Sequence, residues 1–248
     1  LLLSWIDYDS LTTELLDLYQ GNLVISLGNY DKLSPKYISK LRKSYSKNSL
    51  LEKDLPNDPF FLFDNWFKEI NLKSDKTEAN AMTLTTIDSL GYPNGRIVLL
   101  KYYSSDGFIF FTNYNSNKSL SIQQNNKVSI SFFWEKYERQ VIIKGHAHKT
   151  SEEVSTNYFN SRPKGSKLGA IVSENQSSVI KSKDFIIKKF NKLKDEFSKK
   201  EITRPKNWGG FKIVPIQYEF WQGGENRLHD RIRYCKMDNM WKIDRLSP

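Results

Sequence analysis

The sequence predicts a mainly β protein with flanking helices, in the α+β class. Five strand-like runs separated by turn-forming residues fall within residues 81–149, helical patterns flank them, and residues 210–246 return to strand patterns. Because strands joined by tight turns pair in antiparallel fashion, we expect one antiparallel sheet. The length of 248 residues fits one large domain, and 38% hydrophobic and 14% aromatic residues suffice for a core.

The N-terminal part of the chain divides into an extension and a helix. Residues 1–40 contain a short helical pattern and a short strand pattern but no recognisable chemistry. We therefore expect an extension of unknown role, followed by one domain over residues 41–248. In that domain Asp58 can cap a helix whose first residue is Pro59. Large apolar residues then recur at helical spacing and predict a core-facing stripe: Phe60, Phe63, Trp66, Phe67 and Ile70.

The central strands are expected in five runs. In chain order these are "AMTLTTI", "RIVLLKYY", "FIFFT", "KVSISFFW" and "RQVIIKGHAHK". A sheet of that many strands can close on itself as a barrel, which removes exposed edges. Between the third and fourth runs, "NYNSNKSLSIQQN" predicts a loop that leads into a short helix.

The C-terminal part predicts three helices and then strands. Thr150 and Glu153 form a capping-box pattern for a helix that ends before Pro163. A second short helix is expected over "KGSKLGAIVS", and "SKDFIIKKFNKLKDEFSKK" predicts an amphipathic helix. The final strands are expected in "GFKIVPIQYEFW", "HDRIRYCK" and "MWKIDRL".

Composition favours a phosphate-bearing partner and argues against several other classes. A net charge of +10 attracts anions, whether polymers or small molecules. The lone Cys235 excludes an internal disulfide and fits a reducing compartment, so we expect a cytoplasmic protein. No apolar run approaches the roughly 18 residues of a membrane span, and no P-loop, dinucleotide glycine motif or nucleophile elbow is present. His146 and His148 share a strand face without an evident third ligand, so no metal site is predicted.

Basic and hydroxyl side chains recur in patterns that suit an anion. Arg227, His229 and Arg231 alternate, so a regular strand would point all three to one side. Such a face favours a bound anion over a buried core. In a regular strand Arg96 and Lys101 would face opposite sides. Any one of these residues alone is more often an ordinary surface residue, so the prediction of an anion site rests on the whole set. The other members of the set are Thr112, Ser116, Lys118, Gln140, Tyr158, Arg162 and Ser166.

Several longer motifs resemble one known family. They are "RIVLLK", "FTNYNSNK", "ERQV", "YFNSRPKGSKLGA", "SENQSS", "WGGF", "EFWQGGENRLHDR" and "WKIDRLSP". In order and spacing they resemble the pyridoxamine 5′-phosphate oxidase family over residues 41–248. The resemblance implies an FMN-binding split β-barrel that works as a homodimer with FMN at the subunit interface. It also implies oxidation of pyridoxamine 5′-phosphate and pyridoxine 5′-phosphate by O2 to pyridoxal 5′-phosphate, with release of H2O2 and, from the amine, ammonia.

The resemblance also implies roles for individual residues. Arg227 and His229 would lie nearest the reacting part of the substrate and are the catalytic candidates. Arg42 and Tyr45 belong to a stretch that resembles the family's mobile N-terminal segment, which closes over the substrate. The full substrate set it implies is Arg42, Tyr45, Lys101, Tyr158, Arg162, Ser166, Arg227 and His229. The FMN set it implies is Arg96, Ile97, Val98, Leu99, Leu100, Phe111, Thr112, Lys118, Gln140, Gln176, Ser177, Trp221 and Arg231.

Two positions depart from the family pattern. Asn117 stands where the family usually has an arginine that binds phosphate, and Phe111 stands where a tyrosine is common. Losing a charged hydrogen bond to a phosphate costs roughly 1.5–3 kcal/mol, so we expect weaker FMN binding.

Two other functions remain open at this point. The departure at Asn117 fits a flavin- or pyridoxal-phosphate-binding protein without turnover. The charge of +10 fits a nucleic-acid binder, although the basic residues are dispersed and no RNA-binding motif is present. We expect neither nucleic acid nor a membrane among the partners.

Overall fold

The computed structural model describes residues 43–73, 78–238 and 240–248. The predicted extension over residues 1–40 lies outside the described residues, and so does Arg42. Tyr45–Pro248 form one compact unit. Within the described part of the chain this unit contains five α-helices and nine strands.

The helices fall where the sequence patterns predict them. They are α1 (Pro59–Lys73), α2 (Asn117–Gln124), α3 (Glu152–Ser161), α4 (Lys164–Val172) and α5 (Lys183–Glu196), with short 3-10 turns at Glu52–Asp54, Glu135–Tyr137 and Glu225–Arg227. The cap predicted for α1 is confirmed, because the Phe60 N–H donates to Asp58 Oδ1 over 2.9 Å.

The cap of α3 differs by one residue from the prediction. Ser151 is the N-cap, and its hydroxyl accepts from the Val154 N–H over 3.2 Å. The Thr150 hydroxyl instead bonds Ser155 Oγ over 2.9 Å and the Gly210 carbonyl over 3.4 Å, so it does not cap the helix. The expected end of the helix before Pro163 is confirmed.

The strands form one antiparallel sheet. They are β1 (Ala81–Ile87), β2 (Pro93–Leu99), β3 (Tyr102–Ser104), β4 (Gly107–Asn113), β5 (Lys127–Trp134), β6 (Arg139–Lys149), β7 (Trp208–Gln222), β8 (Asp230–Met237) and β9 (Met240–Leu246). The order is β2-β1-β5-β6-β7-β4-β3, and β8 pairs with β7 and β9. The hydrogen-bonded path has β2 at one end and β3 at the other.

The predicted second strand, "RIVLLKYY", is two strands. β2 pairs with β1, and β3 pairs with β4. Between them the Leu100 N–H donates to Asn80 O and the Lys101 N–H donates to Ile109 O, each over 2.8 Å. The chain therefore changes partners at this point, and Lys101 lies in the crossover rather than in a strand. Expecting Arg96 and Lys101 on opposite faces of one strand was wrong for this reason.

Strand β7 divides the sheet into two parts. Its first residues, Trp208–Ile213, pair with β4, and its last residues, Gln217–Gln222, pair with β8. Pro215 interrupts the pattern between them because it has no N–H, and the β6–β7 register shifts between Lys144 and Gly145. One strand thus contributes to two separate regions of the molecule.

Two apolar clusters form the core of this unit. The larger one packs the predicted α1 stripe against the sheet, with Phe63, Trp66 and Ile70 buried and Phe67 partly buried against them. The smaller one joins α3, α4 and α5 around Phe159, Leu168 and Trp208. The second cluster holds α3 and α4 beside the end of β4, which is where the site described next lies.

Candidate functional site

A cleft of about 660 Å³ opens between the end of β2, the outer residues of β4 and the helices α3 and α4. It collects eleven of the residues that the family resemblance implied: Ile97, Val98, Leu99, Lys101, Phe111, Thr112, Lys118, Tyr158, Arg162, Ser166 and Gln176. The other lining residues are Asn113, Pro163, Gly169, Ala170, Ser173 and Trp208. The sequence motif "WGGF" pointed to Trp208 but suggested no role for it.

The first cationic part of the cleft lies at the start of α2. Lys118 reaches back to the end of β4, where its Nζ donates to Thr112 Oγ1 over 3.3 Å. Burial and then the nearby charge of Arg96 lower the pKa of Lys118. Burial also lowers the pKa of Arg96, whose guanidinium donates to Thr86 Oγ1 over 2.8 Å and to Leu84 O over 3.1 Å. Arg96 does not line the cleft, but its charge acts on Lys118, which does. Two partly buried cations held so close together favour a bound anion.

A second cationic part forms where α3 ends. Arg162 lies over the Trp208 ring, with its Cζ 4.7 Å from the ring centroid. Burial lowers its pKa, and Nη1 is buried without a hydrogen-bond partner in the part of the chain that the structure describes. A buried donor of this kind normally has an acceptor, so it marks the position of an anionic ligand group. Ser166 lies in the first turn of α4, on the same wall.

Three near-parallel aromatic rings line the cleft beside Arg162. Phe111 stacks on Tyr158 with ring centroids 4.0 Å apart, and Phe111 and Trp208 are 5.6 Å apart with an interplanar angle of 11°. Burial raises the pKa of Tyr158, so its phenol stays a neutral donor. The rings and the arginine give the cleft flat apolar walls next to a positive charge, which suits a planar ligand that carries an anionic group.

The loop after α4 is tied to the start of α2. The Asn113 amide donates to Ser173 O over 2.7 Å and to Glu174 O over 3.1 Å, and the Asn117 N–H donates to Ser177 Oγ over 3.3 Å. Ser177 itself has a φ of 77°, in the left-handed region. These bonds bring Gln176 into the cleft and place Ser177 beside Asn117. Asn113 was missed as a positioning residue, because a buried asparagine gives no sequence signal.

A separate cluster lies at the turn between β7 and β8. The Tyr45 ring contacts Trp221 and His229 edge-on, at centroid distances of 5.7 and 5.9 Å, and Trp221 lies 4.8 Å from His229. The Gly224 N–H donates to His229 Nδ1 over 3.1 Å. The neutral imidazole therefore carries its proton on Nε2, which can donate to a ligand.

The prediction that Arg227, His229 and Arg231 share one face of a strand was wrong. β8 begins only at Asp230, so Arg227 and His229 precede it. Arg227 ends a 3-10 turn with a φ of 66° and is exposed. Gly224 leaves room for this turn, because a Cβ there would clash with Leu228 O. The alternation of basic residues is therefore not a strand pattern.

The remaining predicted residues lie outside the lining of the cleft. Gln140, Trp221 and Arg231 are directly opposite one another across β6, β7 and β8, so they share one sheet face. Arg231 donates to Glu219 Oε1 from Nη2 over 2.8 Å and from Nε over 3.0 Å. The Leu100 side chain is buried in the main core. Among the described residues no group of three or more His, Cys, Asp or Glu could hold a metal ion.

An open antiparallel sheet with a basic, ring-lined cleft defines a class of protein that binds a planar, phosphorylated ligand. Two family models match the chain: pyridoxamine 5′-phosphate oxidase over residues 70–196, and the pyridoxine 5′-phosphate oxidase C-terminal dimerisation region over residues 208–248. The chain belongs to the pyridoxamine 5′-phosphate oxidase family.

Curated relatives agree with these family models over nearly their whole length. A pyridoxine/pyridoxamine 5′-phosphate oxidase from Flavobacterium johnsoniae is 56% identical over 211 residues, covering 85% of this chain and 98% of the relative. The protein of the same description from Flavobacterium psychrophilum is 52% identical over 214 residues, covering 86% of this chain and 100% of the relative. The resemblance seen in the sequence motifs is therefore confirmed.

Solved structures confirm the predicted split-barrel fold. PhzG from Burkholderia lata 383, in complex with tetrahydrophenazine-1-carboxylic acid, superposes with a TM-score of 0.76 at 24% identity, covering 82% of this chain and 100% of its own. A pyridoxamine 5′-phosphate oxidase-related, FMN binding protein from Nostoc punctiforme PCC 73102 gives a TM-score of 0.62 at 16% identity, covering 78% and 100%. No helix in the described ranges is long and apolar enough to cross a membrane.

Proposed function

We propose that this chain is an FMN-dependent oxidase that converts pyridoxamine 5′-phosphate and pyridoxine 5′-phosphate to pyridoxal 5′-phosphate. The alcohol loses two electrons and two protons at C4′ and becomes the aldehyde, while O2 becomes H2O2. The amine consumes one water as well and releases ammonia. Relatives at 56% and 52% identity have this description, and they are matched over nearly their full length.

The cleft fits a bound FMN and a substrate phosphate. Arg96 and Lys118 would hold the cofactor phosphate, since burial makes both cations favour an anionic partner. Backbone and side chains of β2 and β4, with Gln176 and Ser177, would contact the rest of FMN. When bound, FMN supplies the two-electron acceptor and its reoxidation by O2.

The second anion site of the cleft would take the substrate phosphate. The observation that carries this assignment is the buried Arg162 Nη1, which lacks a partner in the described part of the chain and points to an absent acceptor. Lys101, Tyr158 and Ser166 line the same cleft and would complete the phosphate site. The rings of Phe111 and Tyr158 would exclude water on one side.

We also propose a homodimer in which one site uses both copies. Six residues for which the family resemblance implies roles at the same ligands do not line the cleft: Gln140, Trp221, Arg231, Tyr45, Arg227 and His229. Apolar residues are exposed on the sheet, with Ile97 65% and Phe133 55% exposed. A second copy that covers this face would bury them and bring its own β7–β8 turn to the cleft. His229 Nε2–H and Arg227 would then hold the substrate ring and its oxygen.

The decisive experiment is an absorbance spectrum followed by anaerobic substrate addition. Purified protein reconstituted with FMN should absorb at about 450 nm, as bound flavins do, and pyridoxine 5′-phosphate should bleach that band without oxygen. Unphosphorylated pyridoxine is the matched control, since it lacks the group that Arg162 would bind. Admitting air should restore the band and produce H2O2. If the phosphorylated substrate left the flavin band unchanged, the proposed oxidase activity would be contradicted, and a ligand-binding protein without turnover would be the remaining function.

We propose that the protein works in a reducing compartment such as the cytoplasm, because Cys235 is its single cysteine.

A further inference from the structure

Residues 45–50, called the strap here, are fastened to three different parts of the unit. The N–H groups of Ser46 and Lys47 both donate to Glu138 Oε2, over 2.9 and 3.1 Å. At the other end of the strap the Leu50 N–H donates to Asp230 Oδ2 over 2.9 Å. Arg245 Nη2 donates to Leu50 O over 2.7 Å. Tyr45, next to the first anchor, carries the ring that contacts Trp221 and His229.

Glu138 is unusual for a carboxylate because it is buried, with 2% of its surface exposed. It lies in the turn between β5 and β6 with a φ of 55°. Its own carbonyl accepts the Gly223 N–H over 2.7 Å. One residue therefore joins the strap to the end of β7. Two adjacent backbone amides on one carboxylate oxygen form a charge-assisted anchor.

Gly223 makes room for the anchored tyrosine. A Cβ at this position would lie 2.7 Å from Tyr45 Cβ and 2.8 Å from Tyr45 Cγ. It would also lie 3.0 Å from Glu138 Cβ. These separations are far below van der Waals contact, so any larger residue would push the Tyr45 ring away from its position.

We propose that Glu138 is a positioning residue that holds Tyr45 against Trp221 and His229, in the gap that Gly223 leaves open. The inference rests on the proposed function, because it assigns the strap to the substrate side of that site. The Glu138 carboxylate bonds the strap and does not line the cleft, so we assign its effect on the ligands to Tyr45. A contact that Tyr45 makes equally with bound substrate and transition state changes KM rather than kcat.

The first test separates KM from kcat. In Glu138→Ala the KM for pyridoxine 5′-phosphate should rise about tenfold while kcat stays within about threefold. Both bonds to the strap are lost, so Tyr45 contributes less to the uniform binding of substrate and transition state. Glu138→Gln keeps an acceptor oxygen and should recover part of the loss. Glu196→Ala, an exposed residue near the end of α5, has the same change in charge and should match the wild type. A kcat that falls with an unchanged KM would overturn the proposal.

A double substitution tests whether Glu138 acts through Tyr45. Tyr45→Ala should raise KM by itself, and adding Glu138→Ala to it should raise KM no further. If the increases in KM of the two single variants multiplied in the double variant, Glu138 would not act through Tyr45. An unchanged KM in Tyr45→Ala would contradict the proposal as well. The FMN Kd should stay within about threefold in all these variants, because the family resemblance implies Tyr45 for the substrate set and not for the FMN set.

Trypsin provides a readout that does not depend on activity. Cleavage after Lys47, followed by mass spectrometry, reports how often the strap leaves its anchor, because a protease samples the open form. Glu138→Ala and Gly223→Ala should both be cut there about tenfold faster than Glu196→Ala, each losing one part of the anchor. Equal rates would refute the anchor even in an active oxidase. An inactive wild type with a protected strap would instead refute the proposed function and leave the anchor intact.

Discussion

In the cleft, Arg162 and Lys118 are cations whose surroundings lower their pKa values, and one nitrogen of Arg162 is buried without a partner in the described residues. At the β7–β8 turn and the start of β8, two basic side chains have protein partners: Arg231 is bonded to Glu219, and His229 Nδ1 accepts from the Gly224 N–H. The cleft is thus arranged for ligands that supply the missing acceptors. His229 and Arg231 are thus held in advance, so that they meet a ligand in fixed positions.

Replacing Arg162 should have the largest effect on function. Arg162→Met keeps the length of the side chain but removes its charge, so kcat/KM for pyridoxine 5′-phosphate should fall about 100-fold or more. The melting temperature of the FMN-free protein should be unchanged or higher, because a buried donor without an acceptor is removed. Steady-state kinetics and thermal unfolding check the two parts.

Lysine at the same position sharpens this test. Arg162→Lys keeps the charge but not the planar donors or the stacking on Trp208, so it should recover only part of the activity. Unchanged kinetics in Arg162→Met would show that the cleft does not hold the substrate phosphate.

Restoring the arginine that the family usually has should strengthen FMN binding. In Asn117→Arg a guanidinium at the first residue of α2 lies beside Lys118, and the FMN Kd should fall about tenfold through one charged hydrogen bond. Quenching of flavin fluorescence measures the Kd. Gln124→Arg, at the other end of α2, is the matched control for net charge. An equal gain in both variants would indicate only long-range attraction and no phosphate contact at Asn117.

Local patterns predicted the elements, because each depends on neighbours along the chain. The apolar stripe of α1 and the alternating burial of β5 required only periodicity. The break after Leu99 could not be predicted in this way, since "RIVLLKYY" contains no glycine, proline or other turn-forming residue. Only the change of partner from β1 to β4 ends the strand. The turn at Arg227 was missed because its left-handed backbone leaves no apolar signal.

Sequence patterns also predicted only part of the site, because its residues come from distant parts of the chain. Family motifs supplied most of the cleft residues, and the structure brings Lys101, Phe111 and Arg162 together although they are far apart in sequence. Asn113 and Glu138 lie inside the motifs "FTNYNSNK" and "ERQV", but the motifs assigned no role to either residue. Both act through bonds to backbone groups of distant segments, and any residue can supply those groups. Such partners become visible only when the chain is folded.

The pH dependence of FMN binding should report Lys118. Its pKa is lowered in the ligand-free protein, and a bound phosphate favours the charged amine and raises that pKa. FMN binding therefore takes up a proton at pH values between the pKa of Lys118 in the free protein and its pKa in the complex. The affinity for FMN is highest below the lower of these pKa values and falls about three- to tenfold as the pH rises through it. Titrations of FMN from neutral to alkaline pH measure this loss.

The stability of the ligand-free protein should change with pH in the opposite direction to its affinity for FMN. Because the folded pKa of Lys118 lies below that of the unfolded chain, its destabilising cost is fully present below the folded pKa. The cost is relieved as pH rises towards the ordinary lysine value. Lys118→Met should remove both dependences. An FMN affinity in Lys118→Met that still falls over the same pH window would assign the titration to another group.

The smallest effect is expected at Phe111, the second departure from the family pattern. Its ring is packed between neighbours, 4.0 Å from Tyr158 and 5.6 Å from Trp208, and its backbone pairs with Gly210. A tyrosine keeps both the stacking and the backbone pairing and adds one neutral hydroxyl, so Phe111→Tyr should change the FMN Kd by less than about threefold. Phe111→Leu removes the stacking, so it should change the FMN Kd more than Phe111→Tyr does, in the direction of weaker binding. A large gain in Phe111→Tyr alone would mean that the hydroxyl, rather than the ring and backbone, is what this position contributes to FMN.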